Sequence, residues 1–246
     1  MTSTRPVPRA VALTLAAALV AQVSWHALHP LTSAAAVALP AAPPMAVLRL
    51  ASLGENEALA KLLLLSLAAH DGQAGAALSL RALDYDRVVG WLERAVTLDP
   101  RARAPLAAAS EVYAAVPDAA RVRVMLAFVE RQFAADPARR WPWLAQAALV
   151  ARHRLHDLPL ARRYARELRL RAPGAPPWAR QMEAFVLEEM DEREAARAVI
   201  GALLDSGQIT DPNELRFLAR RLEGMQEEMR QPPRRTEPAA QSPPGL

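Results

Sequence analysis

Cysteine is absent from the 246 residues. That removes disulfides, thiolate-bound zinc, iron–sulfur clusters and a thiol nucleophile from consideration. Aromatic residues make up only 5%, and isoleucine occurs twice, as Ile200 and Ile209. With strand-favouring residues this scarce and alanine, leucine and arginine abundant, the composition points to an all-α fold. Glycine is sparse at 9 residues, against 21 prolines that gather between apolar stretches rather than inside them. The chain also contains no phosphate-binding loop, no Gly-x-Gly-x-x-Gly and no serine in a nucleophile elbow, so its common catalytic vocabulary is empty.

Lysine is nearly missing as well: of 30 basic residues, all but Lys61 are arginine, and they face 26 acidic ones. The pI of about 10.2 overstates the basic character, because arginine stays protonated far above neutral pH and the net charge at pH 7 is only +4. No nucleic-acid partner is expected from this balance.

The first residues carry Arg5 and Arg9 and no acid, and Ala10 to Leu28 is then apolar with few interruptions. Nineteen helical residues reach about 28 Å, close to the hydrocarbon thickness of a bilayer. The expectation is a short cytoplasmic N-terminus over 1–9 and a transmembrane signal anchor over 10–28. Trp25 would sit at the interface, and the lipid bilayer itself would be a partner. A cleaved signal peptide is the alternative, with small-residue sites at 34–36 or 36–38. Under the first option the protein is a single-pass inner-membrane protein with its C-terminal domain in the periplasm. Under the second it is soluble in the periplasm.

Residues 29–44, HPLTSAAAVALPAAPP, read as an extended Pro/Ala linker with no means of burying a core. Residues 230–246, with five prolines and no apolar periodicity, read as a disordered tail. Between them, 45–229 is punctuated by Asp99-Pro100, Asp136-Pro137, Ala172-Pro173 and Asp211-Pro212, whose prolines stand 37, 36 and 39 residues apart. A period of this size marks a solenoid built from one helix pair per repeat.

Inside the repeats, Asp84 is placed to cap a helix whose Val88, Leu92, Ala95 and Val96 share one face. Further helices are expected over 104–116, 119–135, 141–155, 158–171, 178–190 and 192–204, with 213–229 as a charged terminal cap. Met45 to Ala69 forms the opening pair, bent near Gly54-Glu55, and the run Leu62–Leu65 is expected to be buried all round.

The spacing of Val88, Leu92, Ala95 and Pro100 resembles the second helix of a tetratricopeptide repeat, and Ala161, Ala165 and Pro173 follow it less faithfully. The likeness covers about 84–206, with Ala147 and Ala148 standing where the first helix usually carries larger residues or glycine. The stretches RLASLGENEALAK, DPARRWPWLAQAALVARHRL and GALLDSGQITDPNELRFL are also similar to a group of membrane-anchored bacterial repeat proteins, a likeness that brings no activity with it. The repeat family implies a right-handed α-solenoid whose concave surface binds a protein or peptide partner. Together with the anchor, this points to a membrane-tethered scaffold or assembly factor. The competing class is an exported helical enzyme or small-ligand-binding domain without a recognisable motif.

Candidate chemistry is thin, and no cofactor is expected. His153 and His156 lie one turn apart, a ligand spacing for a metal, but also the place where cations favour a helix C-terminus. Glu188, Glu189, Asp191 and Glu192 have the residue types of an acid/base pair, but as neighbouring acids at a turn they read as a solvated corner. Arg162, Arg163, Arg166 and Arg169 form a basic stripe that, facing the acidic 183–194 segment of the next repeat, would make inter-repeat pairs. The partner-binding candidates are Arg139, Arg140 and Trp141, because tryptophan beside arginine has hot-spot composition. The alternative is that both Trp141 and Trp143 are core residues packing adjacent repeats; if the two part, Trp143 is expected in the core and Trp141 at the surface.

Overall fold

A computed structural model describes residues 9–28, 38–71, 83–207 and 209–230. The expected cytoplasmic stretch before Arg9, residues 29–37 of the linker and the tail beyond Arg230 lie outside the described residues. Among those described the regular structure is helical, so the chain is all-α. It divides into two compact units, Met1–Pro100 and Arg101–Leu246.

In the first unit, α1 runs over Arg9–Leu28. The expected membrane span is corrected here: among the described residues no helix is long and apolar enough to cross a membrane. The apolar run of α1 is interrupted by Thr14, Gln22, Ser24 and His26. The expected single-pass inner-membrane placement is corrected accordingly.

Helix α2 (Met45–Ala51) follows Pro44, and α3 (Asn56–Asp71) follows a sharp break. At the break Leu53 and Gly54 both take positive φ, +49° and +95°, which glycine accepts freely and leucine only under strain. The Leu62–Leu65 run is not buried all round as expected. Leu63 is buried, whereas Leu62 and Leu65 are 57% and 65% exposed, because a helix 3.6 residues per turn cannot bury four consecutive positions against one neighbour. That neighbour is α4 (Tyr85–Leu98), on which α3 packs. Asp84 caps α4 as expected, accepting from the Asp86 and Arg87 N–H groups at 3.0 and 3.3 Å, and Val88, Leu92, Ala95 and Val96 are all buried.

The second unit opens with α5 (Ala104–Ala107), which does not continue as the single helix expected over 104–116. It widens to a π turn over Ala108–Val112 and then tightens to 3-10 over Tyr113–Ala115. The buried Ser110 hydroxyl donates to the Leu106 carbonyl at 2.9 Å, and this competition for the carbonyl four residues back loosens the ladder. Six helices follow: α6 (Ala119–Ala135), α7 (Pro137–His153), α8 (Leu158–Arg171), α9 (Pro177–Glu189), α10 (Arg193–Asp205) and α11 (Pro212–Arg230). Each packs on the next in sequence. Their starts follow local chemistry. Asp118, Asp136 and Asp157 cap α6, α7 and α8 with their carboxylates, and proline occupies the first turn of α7, α8, α9 and α11, where its missing N–H costs nothing. Capping by Asp136 starts α7 four residues before Trp141, so Pro142 falls inside the helix. The last core is shared by α9, α10 and α11 through Leu187, Ile200, Leu203, Ile209 and Leu218.

Candidate functional site

The partner-binding candidates sit on the first two turns of α7, and the structure separates them. Asp136 accepts from the Arg139 backbone N–H at 3.3 Å and pairs with its guanidinium, so Arg139 stays at the surface beside its own helix cap. The Arg139 side chain is the main reason the Asp136 carboxyl lies below its ordinary value.

Arg140 goes the other way. Only 7% exposed, its Nη1 donates to the Gln132 carbonyl and to Gln132 Oε1, both at 2.9 Å. The guanidinium closes the C-terminal end of α6, where a cation complements the helix dipole. Burial, and then the charge of Arg139, hold it below the usual arginine value against the pull of Asp136. The arrangement makes Arg140 a strut between two helices, not the surface contact expected of it.

The tryptophans separate similarly. Trp143 is 8% exposed with the Arg103 guanidinium 5.8 Å over its ring. Trp141 is half-buried and meets Trp178 edge to face, ring centroids 5.9 Å apart at 68°, within the range such pairs prefer. Trp178 is 52% exposed. It occupies the first turn of α9, the helix two elements after α7, so the pair spans consecutive helix hairpins. The sequence reading missed Trp178. The signal was present: like Trp141 it lies in the opening turns of a helix that begins at a proline, here Pro177.

The basic stripe on α8 is largely neutralised by acids of neighbouring helices, as the facing arrangement suggested. Arg162 pairs with Glu192 at 2.9 Å, Arg163 with Glu130 at 2.9 Å and Arg169 with Glu183 at 2.7 Å, while Arg166 stands exposed. The acids that had the types of an acid/base site are tied too: Glu188 to Arg221, Glu189 to Arg152, Glu192 to Arg162 and Asp191 to Arg193. Asp191 lies in the α9–α10 turn at φ +60°. His153 ends α7, and His156, at φ +50°, forms the turn before Asp157. Among the described residues no group of His, Asp or Glu could hold a metal ion.

Helix α9 carries a row of buried polar groups, Arg180, Gln181 and Glu183. Gln181 Nε2 donates to Glu214 Oε1 on α11. Burial, reinforced by Asp211, raises the Glu214 carboxyl above its ordinary value, with Arg180 and Gln181 acting against that rise. A cavity of about 390 Å³ opens beside Glu188, Arg193, Arg220, Arg221, Gly224 and Met225, and its arginines are partly satisfied by Glu188 and Asp191. Comparison with protein-family models, with curated proteins and with solved structures finds no match for this chain.

Proposed function

We propose that this chain is a tetratricopeptide-like helical-repeat scaffold, a right-handed α-solenoid that binds a protein or peptide partner. Trp178 and Trp141 are its apolar anchors, and Arg139 is an exposed charge in the first turn of α7. The observation that carries this reading is the Trp141–Trp178 pair: a ring 52% exposed at a helix start, held edge-on by a second tryptophan. Large aromatic side chains in such positions carry a disproportionate share of binding energy.

The repeat character is supported by polar ties that bridge one repeat length. Arg123 pairs with Asp157, 34 residues on, and Arg152 with Glu189, 37 on. Arg171 reaches the Ala134 carbonyl 37 residues back, and Arg154 the Ala115 carbonyl 39 back. Contacts confined to adjacent repeats are what a quasi-one-dimensional stack requires. With Arg162, Arg163 and Arg169 of α8 paired to Glu192, Glu130 and Glu183, a protein or peptide suits the surface better than nucleic acid.

The test places a photo-crosslinking phenylalanine analogue at position 178 of the full chain in the source cell. A discrete crosslinked species is expected, and it should vanish when Arg139→Glu is added. Absence of any crosslinked species, or an equal yield from an analogue at Arg166, would count against the site.

A further inference from the structure

In the first unit, residues 38–44, Ala-Leu-Pro-Ala-Ala-Pro-Pro, lie along one side of α4. They were expected as a free linker. Instead three of their backbone carbonyls meet three side-chain donors. Arg87 Nη1 donates to the Leu39 carbonyl at 2.6 Å, Trp91 Nε1 to the Pro40 carbonyl at 2.9 Å and Arg94 Nε to the Pro43 carbonyl at 3.1 Å. Leu39 itself is 2% exposed. Pro44 sits at φ −60°, ψ 143°, the polyproline II region.

The two backbones keep step. Donors at i, i+4 and i+7 share one helix face and span about 10 Å at 1.5 Å per residue. The four steps from Leu39 to Pro43 would extend about 12 Å at the 3.1 Å rise of polyproline II. Long arginine side chains absorb the difference. Gly90 lies between the donors, and a Cβ there would stand 3.5 Å from the Ala42 Cβ. A methyl would fit in van der Waals contact; anything larger would take the place of Ala42.

The chemistry is selective. Proline has no N–H, and a polyproline II chain makes no internal hydrogen bonds, so such a segment offers bare carbonyls and asks for few acceptors. The α4 face answers with donors at all three contacts. A preformed extended segment also loses little entropy on docking, which is why aromatic-lined surfaces recognise it in other proteins. The three hydrogen bonds go to backbone carbonyls, and the approach at Gly90 is to the small Ala42. Another chain with the same spacing would therefore satisfy the same donors.

We propose that the face formed by Arg87, Gly90, Trp91 and Arg94 is a binding site for an extended Leu-Pro-x-x-Pro peptide of a partner protein. The chain's own residues 38–44 fill that site in cis. The inference is independent of the Trp141–Trp178 reading, which concerns the other unit.

The probe is a fluorescein-labelled Ala-Leu-Pro-Ala-Ala-Pro-Pro peptide, titrated by anisotropy into the full chain and into the full chain carrying Leu39→Asp. Opening the site is expected to tighten peptide binding by about tenfold or more, because a tethered competitor acts at millimolar effective concentration. In the opened chain, Arg87→Gln with Arg94→Gln should abolish most binding, and Trp91→Phe, which keeps a ring but loses the N–H, should weaken it about tenfold. A peptide with its prolines replaced by alanine should also bind about tenfold more weakly. Equal affinity in wild type and opened chain, or indifference to the arginine pair, overturns the proposal. If Leu39→Asp loses its helical circular dichroism, a chain with 38–44 replaced by glycine and serine serves instead. Loss of the fold there too would make the segment a fixed part of the unit, and the proposal would fall.

Discussion

Arg169 Nε donates to Glu183 Oε2 at 2.7 Å across the α8–α9 seam, and Glu183 is only 3% exposed. Leaving one charge alone in such a place is far worse than removing both. Glu183→Ala is expected to cost about 3–5 kcal/mol in urea denaturation, whereas Arg169→Met with Glu183→Leu should come within about 1 kcal/mol of wild type. Equal losses for the single and double variants would show that the carboxylate is stabilised by something other than Arg169.

The tryptophans should rank by burial. Trp143→Ala is expected to cost about 3–5 kcal/mol. Trp141→Ala, losing partial burial and one edge-to-face partner, should cost about 1–2 kcal/mol, and Trp178→Ala less than about 1 kcal/mol. Thermal melts of the three variants check the order. A Trp178→Ala loss matching that of Trp143 would identify Trp178 as a packing residue and remove it from the binding site.

Asp157 has two roles: it accepts from the Leu160 N–H at 3.0 Å as the cap of α8, and it pairs with Arg123. Burial alone would raise its carboxyl, but the Leu160 N–H and the Arg123 guanidinium together hold it below the ordinary carboxylate value. Its folded pKa is thus the lower one. The stability it contributes is complete above about pH 4, the unfolded value, and drains away as pH falls through the folded value. Asp157→Asn, which can still cap, should show a shallower fall of Tm between about pH 5 and pH 2 than wild type does. Identical slopes would exclude this carboxylate from the acid response.

Tyr164 is fully buried on α8, with Glu130 and Arg163 nearby. Burial first, and the Glu130 charge second, push its phenol up to about 12. A folded pKa above the unfolded value of about 10 gives stability that is intact below pH 10 and lost as pH rises through 12. Absorbance titration at alkaline pH should therefore show a late phenolate step that Tyr164→Phe removes. The same step appearing near pH 10 in the folded chain would show that water reaches the ring.

Helix ends were legible because their causes are local. Asp84 and Asp157 cap with their own carboxylates onto N–H groups two or three residues on, and proline stops or starts a helix by its own ring. The boundaries of α8 came out as read, and those of α9 to α11 within a residue, for that reason. Burial of Val88, Leu92, Ala95 and Val96 follows from periodicity, which is also a property of a short window. Of the candidate site, Trp143 is buried and Trp141 half-buried, a difference that position on α7 left open against two core tryptophans. Trp178 was not brought to Trp141 by any local signal, since their meeting depends on how α7, α8 and α9 stack.

By itself, then, the sequence determined the helical class, the caps and the faces each helix can bury, all consequences of chemistry within a few residues. The tertiary structure alone decided where long side chains end. Arg140 turns inward because the C-terminal carbonyls of α6 are there to receive it. Leu62 and Leu65 stay exposed because α4 covers only one side of α3. Residues 38–44 dock because Trp91, 51 residues beyond Pro40, is placed by the fold of α4 to offer its N–H. A flexible arginine or a proline-rich segment has no preferred partner until folding brings donors and acceptors within 3 Å, and no window of sequence contains that distance.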